Sequence, residues 1–184
     1  MHFQRIILQG GEDVKKRTNE KLMESICHLS NLKRILIIPW TAESPEKELE
    51  YRIIFKNYFI EVGFNDILFL EKTDQETDID KKFALVDVVY LPGGDPVILY
   101  NQIRMRNIDH KIRNFKGTIV GNSAGAIVLS KGSIIEGKFI PGFALVNFYV
   151  FVHFKLQESM DLDPNIGIQE DGWVCVIKNL ENFC

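Results

Sequence analysis

The chain has 184 residues, 46% of them hydrophobic, and a formal net charge of −3. That length and apolar content fit one domain over 1–184 with a sizeable core, and the acidic balance argues against nucleic acid or a membrane surface as a partner. The three cysteines, Cys27, Cys175 and Cys184, are odd in number and widely spaced, which gives neither a metal-ligand pattern nor a disulfide framework and fits a reducing compartment.

Met1 to Arg5 lead straight into a strand-like run with no signal-peptide pattern. No apolar run reaches the length of a membrane span, so a cytoplasmic protein is expected. The first strand reads as Arg5 to Gln9 and stops at Gly10-Gly11. A polar helical stretch follows, with Val14, Leu22, Met23, Ile26 and Leu29 as its apolar face. Arg34 to Pro39 is a second strand, apolar along its length and therefore buried on both faces. Ser44-Pro45-Glu46 starts a helix with a capping serine, proline at the first position and an acid in the first turn. That helix runs to Val62 and stops at Gly63. Asp66 to Leu70 is a third strand, and the charged stretch Glu71 to Lys82 is a surface connection with a short helix. Val86 to Leu91 is a fourth strand, closed by Pro92-Gly93-Gly94-Asp95-Pro96 and followed by a helix from Val97 to Met105. The basic stretch from Arg104 to Lys116 reads as a solvated helix face. Gly117 to Val120 is a fifth strand. Strands that alternate with helices and are apolar throughout predict an α/β fold with a mostly parallel sheet flanked by helices on both faces. In such sheets, sites form at the carboxyl ends of the strands.

The fifth strand runs into Gly121-Asn122-Ser123-Ala124-Gly125, a G-x-S-x-G, and a small apolar helix follows. Strand, serine turn and helix in that order read as a nucleophile elbow, with glycines where side chains would block the tight strand–helix approach. A serine nucleophile needs a base, a group to orient the base, and donors for the oxyanion. Of the four histidines, His2 is terminal, His28 ends a helix and His110 sits in the basic stretch. His153, at the end of the β-prone run Phe148 to Phe154, is the candidate base. Glu170, just before a last strand at Trp173 to Ile177, and Glu136, in Ile134-Ile135-Glu136-Gly137, are the candidate acids. Ala124 and Gly94 are the candidate oxyanion donors through their N–H groups. Ser133 to Glu136 and Phe139-Ile140 read as short strands around a turn at Gly137-Lys138.

Four segments together resemble the peptidase E (aspartyl dipeptidase) family of serine peptidases, which includes the cyanophycinases. They are Leu91-Pro92-Gly93-Gly94-Asp95, Gly121-Asn122-Ser123-Ala124-Gly125-Ala126, Val152-His153-Phe154, and Ile166-Gly167-Ile168-Gln169-Glu170-Asp171-Gly172. The resemblance covers residues 5 to 178. It implies a class I glutamine amidotransferase-like (flavodoxin-like) three-layer sandwich, with Ser123 as nucleophile, His153 as base and Glu170 as the acid. Some descriptions of the family place the acid between serine and histidine, which here points to Glu136. It further implies hydrolysis of small peptides next to a small polar N-terminal residue, with no metal or cofactor.

Two departures stand out. Family members selective for aspartate carry arginines between the histidine and the late glutamate, whereas Phe154 to Gln169 holds only Lys155 as a base. The chain also ends at Cys184 where relatives continue, leaving an edge that is exposed or paired in a homodimer. Two other readings of the same residues are a catalytically inactive relative that binds a small peptide or amino acid, and a general esterase or amidase. A glutamine amidotransferase would need cysteine at position 123.

Overall fold

The computed structural model describes residues 3–155 and 162–179. His2 and Cys184 lie outside the described residues. A six-stranded sheet forms the centre, built from β1 (Phe3–Gln9), β2 (Arg34–Ile37), β3 (Asp66–Phe69), β4 (Val88–Leu91), β5 (Thr118–Asn122) and β10 (Trp173–Asn179). The strand order is β10-β1-β5-β4-β2-β3. All neighbours run parallel except β10, which pairs antiparallel with β1. The remaining elements are the helices α1 (Glu20–Leu29), α2 (Pro45–Glu61), α3 (Glu76–Ala84), α4 (Pro96–Met105), α5 (Asp109–Arg113) and α6 (Ala124–Leu129), with a β6 (Gly132–Ile135)–β7 (Lys138–Pro141) hairpin and a parallel β8 (Tyr149–Phe151)–β9 (Asn165–Gly167) pair.

The continuous apolar strands feed two cores, because alternate side chains leave opposite faces of the sheet. Ile6, Leu8, Leu36, Val89, Leu91 and Ile119 pack with Ile79 of α3, Leu99 and Ile103 of α4, Ile112 of α5 and Val128 of α6. Ile7, Ile35, Ile37, Val88, Tyr90 and Val120 pack on the other face with Met23 and Ile26 of α1 and Phe55, Tyr58 and Phe59 of α2. The sheet is thus mostly parallel and covered by helices on both faces. On the second face the rings are set edge to face: Phe59 lies 5.0 Å from Tyr90 and 5.8 Å from Phe64 between centroids, a geometry favoured by the ring quadrupoles.

Local signals hold where the chemistry is local. Ser44 Oγ accepts from the Lys47 N–H at 3.3 Å, with Pro45 behind it. Asp95 Oδ1 accepts from the Val97 and Ile98 N–H groups at 2.7 and 3.0 Å, with Pro96 next. Other expectations change. α1 starts only at Glu20, so Val14 joins the core from a turn. Leu29, expected on the buried face, is 65% exposed at the helix end. The hairpin turns at Glu136-Gly137, both at positive φ (50° and 74°), the geometry of a two-residue hairpin loop, rather than at Gly137-Lys138. The basic stretch is not simply solvated: it contains α5, Lys111 pairs with Asp80, and Arg113 donates to the Phe143 carbonyl. The β-prone run to Phe154 forms strand only over Tyr149–Phe151, paired with the unforeseen β9. Cys27 is buried and Cys175 exposed, both free. Among the described residues, no helix is long and apolar enough to cross a membrane.

Phe59→Ala should lower unfolding free energy by about 3–5 kcal/mol, since it empties a fully buried aromatic site. Leu29→Ala should change it by no more than about 0.5 kcal/mol. Urea denaturation of the two variants beside the parent protein measures both.

Candidate active site

β5 ends at Asn122, and the chain reverses at Ser123, whose φ of 46° and ψ of −101° are strained for a residue with a side chain. The two motif glycines explain how the turn closes. A Cβ on Gly121 would stand 2.6 Å from the carbonyl carbon of Gly125, and one on Gly125 2.2 Å from the Leu91 carbonyl oxygen, so a side chain at the first would push α6 off β5 and one at the second would push it off β4. The turn is pinned at both ends: the Ser123 N–H donates to the Gln9 carbonyl at 3.0 Å, and the Ile127 N–H donates to the Ser123 carbonyl at 3.1 Å.

Ser123 Oγ lies 2.8 Å from Nε2 of His153. The other ring nitrogen of His153, Nδ1, is hydrogen-bonded to Glu170 Oε2. A carboxylate accepts only, so this bond places the proton on Nδ1 and leaves Nε2 of the neutral ring to accept from the serine hydroxyl. His153 follows β8 at a φ of 53°, and its N–H donates to the Gly10 carbonyl at 2.8 Å. Glu170 sits in the turn between β9 and β10, where the Asp171 N–H donates to the Gly11 carbonyl at 3.0 Å. The His153 and Glu170 side chains are 53% and 55% exposed, so the pair faces water.

The structure therefore brings together Ser123, His153 and Glu170, drawn from three separate parts of the chain. Glu136, the other candidate acid, lies in the β6–β7 turn, and it is Glu170 that bonds to His153 Nδ1. Gly94 and Ala124 both reach the site: Gly94 lines the cleft and Ala124 opens α6 beside Ser123. Among the described residues, neither N–H is taken up by a backbone hydrogen bond. Gly93 backs onto the nucleophile, a Cβ there standing 3.6 Å from Ser123 Cβ. His28, on α1, and His110, on α5, do not line the cleft. No group of three or more His, Cys, Asp or Glu arranged to hold a metal occurs among the described residues.

The cleft has a volume of about 580 Å³. Ser123, His153, Gly93 and Gly94 form its base, the loop from Glu12 to Lys15 one wall, and Lys47, Tyr51 and Phe55 of α2 another. Several residues important to it carry no motif. Glu12 accepts from the Tyr58 hydroxyl at 2.5 Å and from Gln9 Nε2 at 3.4 Å. Burial pushes the Glu12 carboxyl up from its ordinary value, against those hydrogen bonds. Burial, and then the charge of Glu12, raise the Tyr58 phenol, which stays protonated and donates. Gly11 lies under the His–Glu pair: a Cβ there would stand 2.4 Å from His153 Cε1 and 2.6 Å from Glu170 Oε2. The one signal for these residues was the double glycine directly after the first strand.

A serine at a strained strand–helix turn, bonded to a histidine that is bonded to a carboxylate, at the carboxyl ends of a parallel sheet, defines an α/β protein with a hydrolase-like constellation. The chain belongs to peptidase family S51, whose family model matches residues 6–174, in line with the resemblance to peptidase E. No curated protein matches the chain. Among solved structures, a peptidase from an acI-B1 actinobacterium is 20% identical with a TM-score of 0.73, covering 97% of this chain and 84% of that one. A putative peptidase E protein from Listeria monocytogenes EGD-e is 18% identical with a TM-score of 0.67, covering 97% and 99%. At these identities the two structures share the fold with this chain.

Gly11→Ala should push the imidazole and carboxylate apart without breaking a core contact. Labelling of Ser123 by a fluorophosphonate is then expected to slow on the order of 100-fold, the cost of an ångström-scale misplacement, at a nearly unchanged urea midpoint. Equal labelling rates in the two proteins would show that the pair does not depend on the close approach of Gly11.

Proposed function

We propose that the protein is a serine-type exopeptidase that hydrolyses a peptide bond of dipeptides or short peptides. The observation that carries this reading is the unbroken line from Ser123 Oγ to His153 Nε2, and from His153 Nδ1 to Glu170, with Ser123 and His153 lining one cleft. In the reaction, Ser123 Oγ attacks the scissile carbonyl while His153 Nε2 takes its proton. Charge developing on the carbonyl oxygen is met by the N–H groups of Ala124 and Gly94, donors of a type worth roughly 3–4 kcal/mol each in a transition state. Collapse of the tetrahedral intermediate breaks the C–N bond, and His153 returns its proton to the leaving amine. Water, activated by the same histidine, then releases the acyl group from Ser123. Glu170 holds the imidazole in the tautomer that both half-reactions need. No metal or cofactor has a step in this scheme. The cleft volume falls in the range of small-molecule sites and suits a dipeptide or the end of a short peptide better than a folded protein. Its setting is proposed to be the cytoplasm.

The test is hydrolysis of a dipeptide library, run beside simple esters. Ser123→Ala and His153→Ala should each lower kcat by roughly 10⁴-fold or more. Glu170→Gln should lower it on the order of 100-fold, less than for a buried triad acid because this carboxylate is half exposed and screened. Glu136→Gln should leave it within about twofold, the ordinary range for a surface change away from a site. Turnover that survives Ser123→Ala, or an equal loss in Glu136→Gln, would sink the assignment. Turnover of esters alone would make the protein an esterase.

A further inference from the structure

Glu12 is a desolvated carboxylate on the cleft wall that no cation of the described residues pairs with; Glu43 and Asp95 also line the cleft without an ion pair, but Glu43 is exposed and Asp95 caps α4. The donors to Glu12 are all neutral: the Tyr58 hydroxyl, Gln9 Nε2 and the Asn19 N–H. The cations of its own loop are committed to other acids, and Lys47, which lines the same cleft, forms no ion pair with Glu12. Lys15 pairs with Glu50, Lys16 with Asp13, and Arg17 with Glu20 and Glu61. Among the described residues, Glu12 has no ion pair. Gln9, which is fully buried, gives its amide N–H to Glu12 and leaves its own Oε1 without a partner. A desolvated carboxylate with only neutral donors, beside an unpartnered acceptor, is a costly arrangement, and a cation arriving with a ligand would relieve the charge.

Position narrows which cation. The carbonyl of Gln9 holds the N–H of Ser123, while its side chain holds Glu12, so one residue ties this carboxylate to the nucleophile. In a peptide cleaved after its first residue, the α-ammonium is two bonds from the carbonyl carbon that the serine attacks. It must therefore lie beside Ser123, whereas a basic side chain reaches away from it. We propose that Glu12 receives the α-ammonium of the substrate's N-terminal residue and so makes the site select free N-termini. The proposal rests on the peptidase reading only for the word substrate, since ammonium recognition is a binding property.

The experiment is calorimetric titration of the Ser123→Ala protein, which binds without turnover. The probes are alanyl-alanine, aspartyl-alanine, lysyl-alanine and phenylalanyl-alanine, each beside its des-amino analogue, with Nα-acetyl-lysyl-alanine as a further probe. The free-amine member of a pair should bind on the order of 10–100-fold more tightly, the worth of one charge-assisted hydrogen bond. That ratio should collapse to about threefold or less when Glu12→Gln is added. Equal binding within every pair, which needs no Glu12 variant to fold, overturns the proposal. So does a ratio that survives Glu12→Gln. Nα-acetyl-lysyl-alanine binding as tightly as lysyl-alanine overturns it too, because the carboxylate would then be reading a side chain. Absence of hydrolysis by the unsubstituted protein together with a retained amine preference counts against the peptidase reading and for ammonium recognition. Hydrolysis of des-amino and free-amine substrates at equal rates counts the other way.

Discussion

Three consecutive carbonyls hold this site. The oxygens of Gln9, Gly10 and Gly11, where β1 ends, accept from the N–H groups of Ser123, His153 and Asp171 in turn. Each bond fixes the backbone at, or one residue from, a member of the Ser–His–Glu line. β1 lies between β5 and β10 in the sheet, so its end is the point at which segments from the middle and the end of the chain meet. The site is assembled there because that strand stops there and its last acceptors are open to segments from elsewhere in the chain. The same strand end carries Glu12 one residue on, and through it the wall of the cleft.

This anchoring explains how two strained residues persist. Ser123 and His153 both have positive φ, at 46° and 53°, at a cost of order 1–3 kcal/mol each when held in sparsely populated regions. Neither could stay there on local preference. Ser123 is flanked by a strand buried along its length and a helix whose residues are all buried, and His153 is tied to Gly10 on one side while Phe154 bonds to Ile168 on the other. The strain aims the side chains into the cleft, and the two packed cores around the sheet sustain it.

What was legible in the sequence was what chemistry fixes within a few residues. The caps at Ser44 and Asp95 and the serine elbow each carry their whole mechanism in a short stretch, and each stands where its residues say. The apolar runs of β2, β4 and β5 announced strands buried on both faces for the same reason. What stayed hidden depends on partners far away in the chain. Gly10-Gly11 read as the end of a strand, yet a Cβ on Gly10 would stand 2.1 Å from the Gln169 carbonyl oxygen, more than a hundred and fifty residues on. Glu170 and Glu136 were both turn acids within two residues of a glycine, and only the pairing of β8 with β9 and of β10 with β1 puts one of them at the imidazole. β9 is three residues long and has no pattern of its own. Leu29 completed a helical stripe on paper, but the helix ends at that residue and the core does not extend beneath it.

The division between backbone and side chain in this cleft bears on where its catalytic power would come from. The His153–Glu170 pair is about half exposed, so water screens the carboxylate and limits what its charge can add. What the pair supplies is direction: with Nδ1 engaged, Nε2 is left facing the hydroxyl. The N–H groups beside the serine are of another kind. Ala124 is buried, Gly94 is fixed by the capped turn into α4, and neither has to reorganise when charge develops. Preorganised donors keep their worth in a wet site because their position is fixed before reaction. A site with a wet His–Glu pair and fixed backbone donors should therefore tolerate changes around the carboxylate better than changes to the turn that carries Gly93-Gly94. That ordering follows from how the turn is held: the Asp95 N–H donates to the Thr41 carbonyl and the Thr41 hydroxyl to the Gly93 carbonyl, whereas the carboxylate stands half in water.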